Sequence, residues 1–322
     1  MIDLQKNIKY LVGGAVTLLA IAEVTPVGAV SFVSTFRPPG NSTDVYQIDP
    51  TTGANTFFGS SSLQLTDIAV NNSGQLFGTT YEQLYIINPG TETQSIVGNL
   101  TLGGRGITGF NGLAFDNNNN LFGLAGAPLD TDLSGNLAGR GFYKIDTTNG
   151  AVTLIGSGLG ALTPTTFGFA GGNSTGDTSD LVFNPSTNQF LAVSGNANPT
   201  LFTIDPTTGA TTIVGNITAS NNPVPFVAGL TFDNGVLRGY TTNKQQITID
   251  SATGNVTAFL PLAGINTNPT DGSNLLIGGA ASSPSTVAAT AVPEPSFLPG
   301  FVVLGACFGA RFVIKRKQQP IE

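Results

Sequence analysis

Apolar and polar positions alternate along most of this chain in short runs, and five of those runs are copies of one another. They read VYQIDPTTGANTFFGS from Val45, LYIINPGTETQSIVGN from Leu84, FYKIDTTNGAVTLIGS from Phe142, LFTIDPTTGATTIVGN from Leu201 and ITIDSATGNVTAFLPL from Ile247. Alternation with period two marks a half-buried strand, and a short break rich in Pro, Thr and Gly marks a turn, so each copy predicts a β-hairpin. The copies align on Asp49, Asn88, Asp146, Asp205 and Asp250, each entering its turn. A short carboxylate or amide there accepts backbone N–H groups two residues on, so turn capping is expected of these residues rather than metal binding or catalysis.

Most copies are followed by a second hairpin: LTDIAVNNSGQLFGTT, FNGLAFDNNNNLFGLA, TSDLVFNPSTNQFLAV and VAGLTFDNGVLRGYTT. Two hairpins make four antiparallel strands, the blade unit of a β-propeller, and the spacing of the copies, though irregular, is near that of a blade with loop insertions. The fold expected is all-β: one propeller of about five four-stranded blades over residues 30–282. A six-bladed ring with strands hidden in residues 159–195, or an open β-solenoid, stands as the alternative. The last unit is short of strands, with GSNLLIGGA alone after Leu262, and VSFVSTF, residues 30–36, has no hairpin partner of its own. Pairing that segment into the last blade would close the ring and remove two exposed edges. Tyr46, Phe77, Tyr85, Phe115, Phe122, Tyr143, Phe183 and Phe202 follow the strand alternation and are expected in the core.

The two ends break the pattern, and an apolar helix is expected at each. Lys6 and Lys9 precede a short apolar run from Tyr10 to Ala22, and small residues follow. This order reads as a signal peptide over residues 1–29, cleaved after Ala29, with Ala22 as the second choice. At the other end, Phe297 to Ile314 is apolar apart from Arg311, and Lys315, Arg316 and Lys317 follow directly. As a helix the segment reaches about 27 Å, enough to cross a hydrocarbon core, and the basic cluster marks a stop-transfer end. Residues 283–292 read as a flexible linker. Pro293 and Pro295 set the backbone before the helix so that it cannot propagate into the domain.

Val292, Pro293, Glu294, Pro295 and Ser296, followed by the apolar segment and the terminal bases, resemble the PEP-CTERM sorting signal of Gram-negative bacteria. The resemblance implies recognition by a membrane-embedded exosortase and delivery to the cell surface or extracellular matrix, often in bacteria that make exopolysaccharide. The paired hairpin motifs of the body also resemble a family of bacterial propeller-like repeat domains of uncharacterised function that commonly carry this signal.

Composition narrows the chemistry. Charged residues are only 10%, the net charge is −7, and between residues 30 and 292 the bases are Arg37, Arg105, Arg140, Lys144, Arg238 and Lys244. No basic stripe tracks phosphates, so nucleic acid is not an expected partner. The chain has no His, which excludes Ser-His-Asp and Cys-His catalysis and ordinary zinc sites. Its single Cys, Cys307, forms no internal disulfide. GGRG at 103–106 lacks the strand-to-helix setting and Lys of a phosphate loop and reads as a loop. Of the Glu residues in the body, Glu82 and Glu92, neither has a second acid placed opposite it by a motif.

One metal candidate stands out. Asp130, Asp132 and Ser134, with Gly135 next, match the first half of an oxygen-rich calcium loop, but Gly141 stands where a complete loop needs a bidentate Glu. The segment is therefore a partial calcium site or an ordinary polar turn, and GNSTGDTSD, with Asp177 and Asp180, is a similar loop. No other cofactor is expected. The expectation is a non-enzymatic surface or matrix protein that meets exopolysaccharide, divalent ions or matrix proteins, with a secreted glycan lyase or hydrolase as the alternative. Asp, Arg and Tyr converging at one mouth of the central channel would favour the enzyme, and carboxylates scattered on outer turns the binding protein.

Overall fold

A computed structural model describes residues 31–37, 42–88, 90–91, 93–125, 141–156, 180–194, 198–220, 222–265 and 276–283. No helix among them is long and apolar enough to cross a membrane. The terminal apolar helices, Ala29, the linker, Pro293, Glu294, Pro295 and the cluster Lys315, Arg316 and Lys317 lie outside the described residues.

Five four-stranded antiparallel sheets stand in a ring, the β-propeller that the repeats predict. Blade 1 takes β1 (Ser31–Arg37), β2 (Ser42–Ile48) and β3 (Asn55–Ser61). Blade 2 is β4 (Asp67–Val70), β5 (Leu76–Thr79), β6 (Gln83–Ile87) and β7 (Gln94–Asn99). A two-stranded ribbon, β8 (Thr101–Leu102) and β9 (Arg105–Gly106), leads to blade 3. That blade is β10 (Phe110–Phe115), β11 (Leu121–Ala125), β12 (Gly141–Ile145) and β13 (Val152–Leu154). Blade 4 is β14 (Asp180–Asn184), β15 (Gln189–Val193), β16 (Thr200–Ile204) and β17 (Thr211–Asn216). A second ribbon, β18 (Thr218–Ala219) and β19 (Asn222–Pro223), precedes blade 5. Blade 5 is β20 (Val227–Asp233), β21 (Val236–Thr241), β22 (Gln245–Ile249) and β23 (Val256–Pro261). Finally β24 (Leu276–Ser282) returns as the innermost strand of blade 1.

The blade boundaries fall one hairpin away from the expected grouping. A blade is not an outer hairpin with the one after it; the inner hairpin comes first, as β4 and β5, and the outer one follows, as β6 and β7. The tight connection at 80–82 keeps β5 and β6 in one sheet, whereas the chain after β3 has to return from rim to axis before β4 begins. Residues 30–36 do close the ring, since β1 lies between β2 and β24 with Ser31 opposite both Ile48 and Ser282. The blade so closed is the one holding Asp49, not the one holding Asp250.

Burial falls from axis to rim. The innermost strands β4, β14 and β20 are buried at every position, while β7 and β17 at the rim are exposed or half-buried throughout. A strand packed on both faces reads as a near-continuous apolar run, and GLAFD is such a run; the rim strands keep Thr and alternation because one face meets water. The core is accordingly divided into layers between neighbouring blades. Along β1, Phe32 packs toward blade 2 with Ile68 and Leu76, while Val33 packs toward blade 5 with Tyr240 and Ala228. Phe122 and Phe142 stack with ring centroids 5.2 Å apart, and Phe190 of blade 4 meets both. Phe77, Tyr85, Phe115, Phe122, Tyr143, Phe183 and Phe202 are all buried, and Tyr46 is half-buried against the layer between blades 1 and 5.

At the rim, the outer hairpins meet head to tail. The turn of blade 2 grips the end of β3 through Ser60 N–H to Thr91 O at 3.1 Å and Gly90 N–H to Phe58 O at 2.7 Å. Thr101 N–H reaches Gly150 O of blade 3, Thr218 N–H reaches Gly254 O of blade 5, and Ala263 N–H reaches Gly53 O of blade 1. This contact accounts for two glycines of the repeat. The one that ends the last strand must lack a Cβ, because a Cβ on Gly98, Gly156 or Gly215 would land on a carbonyl of the next blade's turn. The one in the turn has positive φ, as at Gly150, Gly209 and Gly254, and lies as close to the strand it grips.

Candidate functional site

The innermost strands bring five equivalent positions to the axis: Asp67, Gly112, Asp180, Gly229 and Gly279. Asp67 and Asp180 are both fully buried. Asp67 Oδ2 accepts the N–H of Leu113 at 2.5 Å, on the next blade. Asp180 Oδ2 accepts the N–H groups of Leu230 at 2.6 Å and Ala280 at 3.3 Å, and its Oδ1 accepts its neighbour Leu181 N–H. Each donor except Leu181 follows one of the axial glycines. A Cβ on Gly279 would strike Asp67, and one on Gly229 would strike Ala280 and Gly279. The carboxyls therefore occupy the place where side chains of the other three strands would stand.

Both carboxyls meet the same stretch of β24, Asp67 Oδ1 beside Gly279 and Asp180 Oδ2 on the Ala280 N–H, and each influences the other's titration. Burial, and then the charge of Asp180, push the Asp67 carboxyl well above the ordinary carboxylate range. Burial also pushes Asp180 up, against the opposing hydrogen bonds that it accepts. An acid of this kind can hold a proton at neutral pH. It cannot meet a substrate, since neither residue has accessible surface and three backbone amides from neighbouring blades close over the pair.

Clefts open on both faces of the ring: one of about 390 Å³ lies on the face of the inner-hairpin turns, between residues 119–121 and 144–147, and another lies on the face where the innermost strands begin. Among the described residues, that face holds the 80–82 and 242–244 turns between second and third strands and the ribbons β8–β9 and β18–β19 that lead from one blade to the next. A cleft of about 450 Å³ opens there against Glu82, Asn99, Leu100, Thr101, Gly104, Gly106, Ile107 and Thr108. The ribbon β8–β9 forms one side and the 80–82 turn the other. Gly103 and Gly104, both at positive φ, make the ribbon's tight turn, so GGRG is a hairpin and not an open loop. Backbone bonds fix the walls: Leu100 N–H to Glu82 O and Ile107 N–H to Leu100 O, each 2.8 Å. Leu100 and Ile107 supply a buried apolar floor, while Glu82 and Asn99 are exposed above it. Tyr81 stands beside Glu82 with 53% of its surface exposed, its carbonyl accepting the N–H groups of Gly109 and Phe110.

The turn aspartates do what their position in the repeat predicts. Asp49 accepts Thr51 N–H at 2.8 Å, Asp146 Thr148 N–H at 2.8 Å, Asp205 Thr207 N–H at 2.7 Å and Asp250 Ala252 N–H at 2.9 Å. Hydrogen bonds hold all four below the ordinary carboxylate value: foremost the Thr51 amide at Asp49, the Thr148 hydroxyl at Asp146, the Thr208 amide at Asp205 and the Ala252 amide at Asp250. Asn88 instead donates its amide to Thr93 Oγ1. Asp180, read from sequence with a polar loop, begins the innermost strand of blade 4 and is buried; the apolar run after it, LVF, belongs to the same strand. Asp130, Asp132, Ser134, Asp177 and Glu92 lie outside the described residues. Among the described residues no group of three or more Cys, Asp or Glu side chains could hold a metal. Sequence reasoning missed the partnership of Asp67 with Asp180. Its signal is that TDIAV and SDLVF carry Asp where NGLAF and AGLTF carry Gly.

Residues 91–281 match the DUF6923 family, described as a repeat of unknown function. No curated protein matches the chain in sequence. Among solved structures, it is similar to a protein of unknown function from Bacteroides thetaiotaomicron at 14% identity and TM-score 0.42, over 70% of this chain and 57% of that one. It thus spans little more than half of that protein's length. A gluconolactonase from Xanthomonas campestris is similar at 11% identity and TM-score 0.45, over 73% of this chain and 77% of that one.

Proposed function

The chain belongs to the DUF6923 repeat family, and we propose that it is an exported, non-enzymatic binding propeller of the cell surface or extracellular matrix. The observation that carries this reading is the opposition of its ends and its cleft. Ser31 and Ser282 are paired and leave the ring together on the face of the inner-hairpin turns, whereas the Glu82–Thr108 cleft opens on the other face. A domain tethered by residues 283–322 would present that cleft outward.

Export rests on the first 29 residues, with cleavage after Ala29. Sorting rests on Pro293, Glu294 and Pro295, the apolar segment 297–314 and the bases Lys315, Arg316 and Lys317, read by an exosortase-type enzyme. Exopolysaccharide is the ligand class that best fits the cleft. Asn, Thr and Glu side chains and bare Gly backbone offer hydrogen bonds to hydroxyls, an apolar floor suits a sugar ring face, and Tyr81 provides an exposed aromatic beside them. Catalysis draws no support from the axis, where the two acids are sealed.

Residues 30–290, a range that includes the whole closed ring, are expected to bind neutral or acidic polysaccharide on a glycan array, and Tyr81→Ala is expected to lower binding at least tenfold. Running the array with and without calcium tests the Asp130, Asp132 and Ser134 site. Turnover of a polysaccharide that the protein does not retain would reverse the reading. For sorting, Ala at positions 293, 294 and 295 should abolish processing and surface delivery; unchanged fractionation would remove that half of the proposal.

A further inference from the structure

The axial pair has a property that its hydrogen bonds leave unexplained. Asp67 Oδ2 has a backbone partner, as do both oxygens of Asp180, yet Asp67 Oδ1 is buried and accepts from no N–H or O–H of fixed position. A bare carboxylate oxygen in that setting is costly. Asp180 is the carboxyl that shares this stretch of β24 with it, and as a second carboxylate it would offer only repulsion. A single hydrogen between the two resolves both problems, because one carboxyl then donates and the other accepts.

We propose that Asp67 and Asp180 share one proton at neutral pH and that this proton pins the five blades together at the axis. The pair joins every blade: Asp67 stands on blade 2 and bonds blade 3, and Asp180 stands on blade 4 and bonds blades 5 and 1. No cation explains the site equally well. The groups facing the carboxyls are N–H donors, and even a Cβ on Gly279 would collide with Asp67 Oδ1. On the packed strands β4, β10, β14, β20 and β24 the one further acid is Asp233, at the far end of β20 and ion-paired to Arg238 at 3.6 Å. The adjoining β1 carries only Arg37, its last residue.

The consequence for pH has a definite sign. An unfolded Asp releases its proton near pH 3.9, while the folded pair keeps one well above that value, in keeping with the upward push of burial on both acids. The pair's contribution is complete below about pH 3.9 and is lost as pH rises through the folded value, because unfolding then releases a proton. Through this pair, the axis is tightened as pH falls toward about 3.9 and loosened as pH rises through the folded value.

The test uses the full-length protein in detergent and follows thermal unfolding from pH 5 to 9. Wild type is expected to lose about 3–5 °C of Tm per pH unit over the part of this range below the folded value, the slope for one proton. Asp67→Asn replaces the shared hydrogen with a permanent N–H donor. It should flatten that slope and melt higher than wild type at pH 8. A wild-type Tm that is level or rising over the whole range, or an Asp67→Asn protein with an unchanged slope, overturns the proposal. Infrared spectroscopy of wild type keeps it testable if the variant misfolds: a protonated-carboxyl band at pH 7 is expected, and its absence also overturns the proposal.

Discussion

Two sets of aspartates in this propeller have opposite surroundings and opposite electrostatics. Asp49, Asp146, Asp205 and Asp250 stand in rim turns, bonded to amides and hydroxyls in contact with water, and those bonds favour their charge. Asp67 and Asp180 stand on the axis with no accessible surface, and that burial disfavours theirs. The same side chain accepting the same kind of backbone donor is thus moved in opposite directions by solvent access. The rim set supports the fold above about pH 4 and loses that support as pH falls, and the axial set does the reverse, so the two act in adjacent windows.

The contrast can be broken most severely at the axis. Gly279→Val places branched carbons where Asp67 already stands and should cost at least about 3 kcal/mol or prevent folding, as read by urea unfolding. At the rim the comparable overlap is smaller in reach. Gly156→Ala meets the Thr208 carbonyl and holds φ at 67°, and about 2 kcal/mol of destabilisation is expected because the turn can shift outward. Removing a turn acid is milder: Asp205→Ala should lose about 1 kcal/mol at pH 7 and show a shallower fall in Tm between pH 5 and 2 than wild type. Tyr81→Ala should change stability by less than about 0.5 kcal/mol, since Tyr81 is largely exposed. A larger loss there would make the residue part of the scaffold and not of a binding face.

Much of the rim was readable from the residues. Each Asp-to-Gly turn is local, so its chemistry lies within a few positions of sequence, and the hairpins and capping acids follow from it. Blade grouping is not local. Turn residues mark where a hairpin bends but carry nothing about which neighbour its free edge will join, and so the expected boundaries fell one hairpin away. The axial pair was hidden for a related reason. Asp67 and Asp180 are far apart in the chain, each follows polar residues, and a lone Asp before an apolar run resembles the end of a loop. The aligned motifs show Asp in place of Gly, but only the ring places the two acids together, at a position too crowded for a side chain from every strand.

The pairing of β1 with β24 governs when the molecule can be completed. Among the described strands, the one made first waits for the one made last, with almost the whole domain between them, and that closure carries the largest chain-entropy cost of any ladder among them. Until β24 arrives, β1 is an open edge, Asp180 lacks its Ala280 donor, and blade 5 has no neighbour on one side. A chain cut short before Leu276 should therefore accumulate as a sticky, unclosed arc and not as a four-bladed ring.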